Sequence, residues 1–418
     1  MNHTKEVPSG SILRNRNFLL IWNVGTLSTI GEMAEMLVMG WLVLQITGSP
    51  MQVAIVGASK TSTMFGFALV AGAMGDRWNR RYIMIGAQLL NITIVLALLI
   101  VLGTGEIQPW HIFVAAAVRG VSQRFDNASR RALMFQIAGA KRLVRALSLD
   151  VVGFSTSRII GPLAVGALLQ INGDPSSSFV LLIGVYFLAL ISAVYIQDNI
   201  DSINTAVLPV IESVFQGIKY SYRSTSIMGV LLTTIVVNAV FQYHLFIPVI
   251  AQDYLKVGPA LMGLLAAGDG MGVILGAMTL SLLGNKLTNY GKVFLTGSLG
   301  AAIFLVAFAF SPWYALSFGL LILVGISMAC FATFQSGIML TAANPSFHSR
   351  VLGIQGLAAG VGQMGSIEIG LLASALGIHL AIAINSGIGF ILIALIGIST
   401  PALWRPIKGF SNEDPEDK

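Results

Sequence analysis

The sequence predicts an all-α integral membrane protein with twelve transmembrane helices, arranged as two bundles of six. Hydrophobic residues make up 55% of its 418 residues and charged residues only 10%, whereas a soluble domain carries about 25% charged residues. The mean hydropathy of +0.82 agrees with this composition. The charges are too few to cover a water-facing surface, so most of the helix surface must face lipid or other helices.

The apolar stretches give the number of spans. A transmembrane helix needs about 20 predominantly apolar residues. Six such stretches lie near 18–44, 51–74, 82–103, 109–125, 143–171 and 178–197. After a polar interval, six more lie near 227–250, 260–283, 292–310, 313–337, 351–376 and 378–403. Two sets of six predict two related halves.

The polar interval divides the chain into four regions. We expect an N-terminal six-helix bundle at 1–197, a cytoplasmic linker at 198–226, a C-terminal six-helix bundle at 227–403 and a cytoplasmic tail at 404–418. Within the linker, apolar residues recur at helical spacing, which predicts an amphipathic helix at the membrane surface; they are Val207, Ile211, Val214, Phe215 and Ile218. We interpret this helix as a tether between the bundles rather than a regulatory element.

The basic residues predict the orientation. Twelve spans place both termini on one side, and cytoplasmic loops carry an excess of Lys and Arg. With both termini in the cytoplasm, only Lys256 of the 24 basic residues lies on the outer side, and only Lys60, Arg119 and Arg158 lie within spans. The net charge of +6 therefore reports topology rather than nucleic-acid binding. We expect a multi-pass protein of the inner membrane with both termini cytoplasmic.

The sequence lacks the motifs that are typical of enzymes. Cys330 is the single cysteine, which excludes an internal disulfide, and no metal-ligand cluster, phosphate-binding glycine loop or nucleophile elbow is present. There is also no room for a soluble nucleotide-binding domain. We therefore expect no cofactor, no metal and no enzymatic activity.

The loop between spans two and three carries the most specific motif. It reads Gly72-Ala-Met-Gly-Asp76-Arg77-Trp-Asn79-Arg80-Arg81, which resembles the G-x-x-x-D-R-x-G-R-R/K signature of the major facilitator superfamily, with Asn79 in place of the second glycine. Asparagine tolerates positive φ better than most residues. The resemblance implies the major facilitator fold and a cytoplasmic gate formed by Gly72, Asp76, Arg77, Arg80, Arg81 and Asp126.

This gate has a physical interpretation. Asp76 could lie against the N-terminus of a helix from the other half, where the helix dipole favours an anion; the start of span eleven near Arg350 is the candidate. Arg80 needs a carboxylate, and Asp126 at the cytoplasmic end of span four is placed for it, as in family members. The alternative is that Arg77, Arg80 and Arg81 only anchor the loop.

Further segments resemble one branch of the superfamily, which contains the enterobactin exporter and the macrolide efflux proteins. They are Arg14-Asn-Arg-Asn-Phe, Gly40-Trp-Leu-Val-Leu-Gln-Ile-Thr-Gly48-Ser, Phe125-Asp-Asn-Ala, Arg158-Ile-Ile-Gly161-Pro162 and Gln216-Gly-Ile-Lys-Tyr220. Gly161-Pro162 also resembles the G-x-x-x-G-P signature of proton-coupled exporters, although Ser157 replaces its first glycine. The resemblance implies export coupled to proton entry, by a monomer.

Charged residues within the spans are the candidate functional residues, because an ionisable group in the membrane is costly unless it is paired or hydrated. The candidates for proton coupling or the substrate cavity are Glu32, Glu35, Lys60, Arg119, Arg158, Asp269 and Glu368. Arg119 could control the protonation of Glu32 or Glu35, while Lys60 and Glu35 could form a static pair. Asp269 could face another helix instead of a cavity. We interpret His244 in span seven as a histidine near the membrane interface rather than a proton relay.

Together these observations favour a secondary transporter that exports a small organic molecule, either a siderophore or a drug-like compound, by proton antiport through alternating access. Its partners would then be the substrate, protons and the lipid bilayer. Two alternatives remain open. One is an importer of a small nutrient, or a lipid transporter, of the same fold, because fold does not fix direction. The other is a membrane enzyme or assembly factor that transports nothing.

Overall fold

The computed structural model describes residues 12–67, 78–197, 210–283, 289–344, 347–362 and 365–405, and the regular elements within these ranges are all helical. The helices are α1 (Arg16–Thr47), α2 (Pro50–Gly66), α3 (Arg80–Gly103), α4 (Pro109–Asn172), α5 (Ser176–Val194), α6 (Val210–Arg223), α7 (Thr225–Val240), α8 (Pro259–Leu283), α9 (Tyr290–Ala309), α10 (Tyr314–Ala342), α11 (His348–Gly362), α12 (Gly365–Leu376) and α13 (Ile378–Ser399).

The helices agree with the predicted spans. In the described part of the chain, ten helical segments are long and apolar enough to cross a membrane. The remaining two predicted spans correspond to α2, which has 17 residues, and to the first part of α4. The predicted end of span two, at 68–74, lies outside the described residues. The all-α membrane fold predicted from composition is confirmed.

Helix α4 supplies two spans because it doubles back. It is helical over 64 residues, which would extend about 96 Å if the helix were straight. Arg130 Nη1 and Asp150 Oδ1 nevertheless form a salt bridge of 2.6 Å, although 20 residues of straight helix would separate them by about 30 Å. The chain therefore reverses between these residues, and α4 contains both predicted spans four and five.

Span seven is interrupted in the middle. After α7 ends, the chain forms a 3₁₀ segment at Phe241–Phe246, one α-helical turn at Ile247–Val249 and a π segment at Ile250–Tyr254. Pro248 in this region has no N–H to donate, and its ring crowds the carbonyl four residues earlier, that of His244. The interruption therefore follows from the sequence, and it falls at the predicted intramembrane histidine.

The linker contains the predicted helix, α6, and this helix packs against the C-terminal half. Gly217 lies against Ile354 of α11. The hydroxyl of Tyr220 accepts a hydrogen bond of 2.9 Å from the backbone N–H of Asn344, and its ring stacks on Phe347 at 4.4 Å between centroids. Residues 198–209 of the linker lie outside the described residues.

The two halves pack differently at the two ends of the bundle. We call the end where α1 begins and α5 ends the basic end, and the end where α1 meets α2 the far end. At the far end, buried apolar residues of both halves form one cluster, which includes Leu42 and Phe246. At the basic end, each half has a separate cluster, one around Phe18 and the other around Phe294. Among the described residues, the halves therefore share a core only toward the far end.

Close backbone contact seals the halves at the far end. A Cβ at Gly166 of α4 would lie 2.6 Å from the carbonyl oxygen of Pro259, and a Cβ at Gly263 of α8 would lie 2.5 Å from that of Pro162. Nearby, Gln45 Nε2 donates a hydrogen bond of 2.7 Å to Gln252 Oε1 across the halves. The seal therefore combines glycine contacts with neutral amide hydrogen bonds.

Candidate functional site

Helix α1 presents two carboxylates on one face, because Glu32 and Glu35 are three residues apart. Glu32 Oε1 accepts a hydrogen bond of 2.9 Å from Lys60 Nζ of α2, and the two side chains remain 18% and 21% exposed. The expected pairing of Lys60 with Glu35 is therefore wrong. Arg119 already binds Glu35, and the long lysine side chain reaches the carboxylate one turn away.

Glu35 lies in a fully enclosed cluster within the N-terminal half. Its Oε2 accepts hydrogen bonds of 2.7 Å from both Arg119 Nε and the hydroxyl of Tyr186. Arg119 also donates to the Tyr186 oxygen at 2.7 Å and lies over the tyrosine ring. Glu35 and Arg119 are each only 3% exposed. The other carboxylate oxygen, Oε1, is buried without a hydrogen bond to any described residue.

A chain of polar side chains extends from this cluster toward the basic end. Arg119 Nη1 donates to Asn91 Oδ1 at 2.8 Å, and Asn91 Nδ2 donates to Gln88 Oε1 at 3.2 Å. Gln88 Nε2 in turn donates to Asp126 Oδ1 at 3.1 Å. Each of these side chains is buried, and buried polar groups require such partners. The chain links the predicted coupling residue Arg119 to the predicted gate residue Asp126.

A second cluster joins the two halves. Arg158 of α4 donates to Asp269 Oδ2 of α8 in a salt bridge. His244 Nε2 lies 2.6 Å from the same carboxylate oxygen and 2.6 Å from Arg158 Nη2. Tyr243 donates to Asp269 at 3.4 Å. His244 therefore lies between charged groups of two other helices, and its position relative to the membrane interface stays a prediction.

The inter-half cluster borders a recess. The residues that line it are Met33, Met36, Leu37, Arg158, Pro162, His244, Ile247 and Ala266. Most of this lining is apolar, and Arg158 and His244 supply its polar edge. The recess thus lies against α1 of the N-terminal half and the interrupted span of the C-terminal half.

The remaining predicted coupling residue lies apart from these clusters. Glu368 is on the exposed face of α12 and makes no hydrogen bond or ion pair with the described residues, whereas Ser366, Ile369 and Gly370 point into the protein. The structure therefore brings together six of the seven predicted residues as three ion pairs, Glu32–Lys60, Glu35–Arg119 and Arg158–Asp269.

The predicted gate is only partly described. Gly72, Asp76 and Arg77 lie outside the described residues. Arg80 Nη1 donates to Gln136 Oε1 at 3.4 Å, and Arg81 Nη2 donates to the carbonyl of Val194 at 2.5 Å. Asp126, which the resemblance pairs with Arg80, accepts from Gln88 deeper in the half. The latch itself remains a prediction.

Tyr186, Asn91, Gln88 and the role of His244 were not predicted from the sequence. Tyr186 stands in an apolar run of span six, where a single tyrosine resembles an ordinary core residue. The sequence feature that could have indicated its packing is Gly31 of α1, because a Cβ at that position would lie 2.5 Å from the Tyr186 ring. Within the described residues, no group of three His, Cys, Asp or Glu side chains could hold a metal ion.

The chain has apolar helical spans in two halves, and ion pairs are buried inside and between those halves. These features define a membrane transporter of the major facilitator type. The chain belongs to the family of transmembrane secretion effectors, whose family model matches residues 9–405. This agrees with the expectation of a transporter rather than an enzyme.

Known proteins similar to the chain include two named for efflux. The multidrug efflux pump Tap of Mycolicibacterium fortuitum is 25% identical over 375 residues, covering 87% of this chain and 90% of that protein. Macrolide efflux protein A of Streptococcus pyogenes is 22% identical, covering 86% and 88%. A bacterial homologue of the human lysosomal transporter Spinster superimposes with a TM-score of 0.74 at 11% identity, over 96% of this chain and 100% of that one. This last similarity shows the fold.

Proposed function

We propose that the chain is a secondary transporter of the inner membrane that exports a small organic molecule in exchange for protons, by alternating access. The observation that carries the proposal is the position of the charges. One ion pair joins the two halves beside an apolar recess, and another is partly exposed on α1 and α2. Ionisable groups placed this way in a membrane bind or relay a charged species.

The packing of the halves supports alternating access. A shared apolar core at the far end and separate cores at the basic end describe a transporter closed on one side. If the basic end is cytoplasmic, as the placement of Lys and Arg favours, this state accepts substrate from the cytoplasm. Opening the far end requires the halves to separate at Gly166 and Gly263.

The recess favours a drug-like substrate over a siderophore. Methionine side chains adapt to ligands of different shape, and Met33 and Met36 line the recess with Leu37 and Ile247. The names of the two efflux relatives point to the same class. The protein acts as a monomer in this proposal.

Transport in proteoliposomes tests the proposal. With an acidic lumen, an exchanger of protons for drug should accumulate a radiolabelled macrolide inside the liposomes, and a protonophore should abolish the accumulation. Equal uptake with and without the gradient would show that protons are not exchanged. Gradient-driven accumulation of a siderophore but no drug would make the siderophore the substrate class.

The carboxylates of α1 are tested in the same assay. Glu32→Gln and Glu35→Gln each keep the size of the side chain but remove its charge, so we expect gradient-driven uptake to fall at least tenfold in one or both. Glu106→Gln, at an exposed position between α3 and α4, is the matched control and should behave as wild type. If both variants retain full gradient-driven uptake, the proton does not travel by these carboxylates.

A further inference from the structure

We propose that His244 is a proton-controlled switch for the contact between the two halves: while the far end is open, His244 Nε2 takes up a proton from the far side and holds Asp269 in place of Arg158. This inference rests on the proposed exchange of protons and assigns the coupling step to a residue outside the α1 carboxylates. Three atoms carry it, Arg158 Nη2, Asp269 Oδ2 and His244 Nε2, each in direct contact with the other two.

The protonation of one ring nitrogen is fixed. His244 Nδ1 lies 2.7 Å from the backbone carbonyl oxygen of Phe241. A carbonyl oxygen can only accept, so Nδ1 carries a hydrogen. The charge of the ring therefore depends on Nε2 alone, and Nε2 is the nitrogen that faces both Arg158 and Asp269.

The two states of Nε2 favour different bonds. Without a proton, Nε2 can accept from Arg158, which is always a donor, and the cluster is neutral. With a proton, Nε2 donates to Asp269 while two cationic donors face each other 2.6 Å apart with no acceptor between them. Because Asp269 is only 2% exposed, water screens this repulsion weakly. Arg158 belongs to the other half, whereas His244 and Asp269 belong to the same half, so Arg158 is the group that leaves when the halves separate.

The consequence is a change of connection between halves. The bond between Arg158 and Asp269 joins α4 to α8, whereas His244 and Asp269 both belong to the C-terminal half. Arg158 and its neighbour Ile159 also lie against Gly270, next to Asp269. Protonation thus replaces the bond between Arg158 and Asp269, which joins the two halves, by the bond between His244 and Asp269 within the C-terminal half. When the far end closes again, an N–H of Arg158 takes the place of the Nε2 proton on Asp269. The proton taken up from the far side is then released to water on the basic side, so each cycle carries one proton from the far side to the basic side.

The interrupted span supports this role independently. His244 lies in the 3₁₀ segment at Phe241–Phe246, and non-α segments inside membrane spans are tolerated where they are buried in protein or line a cavity. The same segment lines the recess. A molecule bound there would contact both His244 and Arg158, which couples its binding to the switch.

Other titratable groups face this region and could contribute to a pH response. Those on the helices packed against the segment, and on the segment itself, are Glu32, Glu35, Lys60, Tyr243 and Glu368. Glu32 and Glu35 are held by Lys60 and Arg119, and Tyr243 donates to Asp269.

The distance between the halves at the far end measures the switch. Spin labels at Thr104→Cys and Pro312→Cys, both exposed far-end loop positions on opposite halves, can be introduced in a Cys330→Ser background of the full chain. We expect the wild-type distance distribution to shift to longer separations as pH falls from about 8 to 5. His244→Gln, which cannot ionise, should show no such shift. Asp269→Asn should show the longer separations at every pH, because Arg158 has lost its anion.

His379→Gln is the matched control. The ring of His379 is also bound to a backbone carbonyl, that of Ala309 at 2.8 Å, but it stacks on Tyr254 instead of contacting a charged pair. This variant should keep the wild-type pH response. A His244→Gln protein with the wild-type response would overturn the inference. If instead the labels respond as expected but wild-type drug uptake ignores a pH gradient, the switch stands and the proposed exchange fails.

Discussion

At the scale of single residues, each buried charge among the described side chains has a hydrogen-bond or ion-pair partner. Arg119 shows why arginine occupies span four: its planar group donates to Glu35, Asn91 and Tyr186 in three directions at once. A lysine has one nitrogen and could not reproduce this arrangement. The cluster is neutral overall, which avoids an unpaired charge in the membrane.

Tyr186→Phe tests the contribution of the hydroxyl in this cluster. The change keeps the ring over Arg119 but removes a donor to Glu35 and an acceptor for Arg119. Leaving buried polar groups unsatisfied costs about 1–3 kcal/mol, so we expect a lower thermal unfolding temperature in detergent. Tyr195→Phe, at an exposed position that follows α5, should leave the temperature unchanged. Equal temperatures for wild type and Tyr186→Phe would contradict the packing described here.

At the scale of elements, two of the described spans depart from a straight α-helix. Span seven becomes 3₁₀ where it presents His244, and α4 reverses where it presents Arg130 to Asp150. The reversal needs an attachment, because helical hydrogen bonds alone would continue the helix in a straight line. The salt bridge supplies it, since its two residues lie on the two arms of α4.

Asp150→Asn tests this attachment. The side chain of Arg130 is 7% exposed and that of Asp150 is 23% exposed, so the loss should be smaller than the about 3–5 kcal/mol of a fully buried pair. We expect a destabilisation of about 1–2 kcal/mol, seen in thermal unfolding. Asp174→Asn, exposed beyond the end of α4, provides the comparison. The exchanged pair Arg130→Asp with Asp150→Arg should recover part of the loss; no recovery would argue against the ion pair as the cause.

At the scale of the whole molecule, closure at the far end depends on backbones that touch. Gly166→Val places two methyl groups where α4 and α8 meet and should hold the halves apart there. The label pair at residues 104 and 312 should then report longer separations at neutral pH. Gly184→Val is the control, because a Cβ at Gly184 meets no atom within 4 Å. Unchanged separations in Gly166→Val would mean that this contact does not limit closure.

The sequence alone was sufficient for the number, order and charge content of the spans, because the cost of placing charges in hydrocarbon is a local property. It was insufficient to predict which charged side chains form ion pairs with each other. Lys60 contacts Glu32 rather than Glu35 because pairing depends on side-chain reach as well as depth. It was also insufficient for the contacts of His244, because Arg158 and Asp269 lie on helices distant in sequence and meet this side chain only in the folded chain.

The hydrogen bond between Gln45 and Gln252 has a consequence for the environments that the protein can tolerate. Ionic strength screens exposed charges but leaves neutral amides nearly unaffected, and an amide does not titrate near neutrality. We therefore expect this contact between the halves at the far end to hold over a wide range of salt concentration and pH.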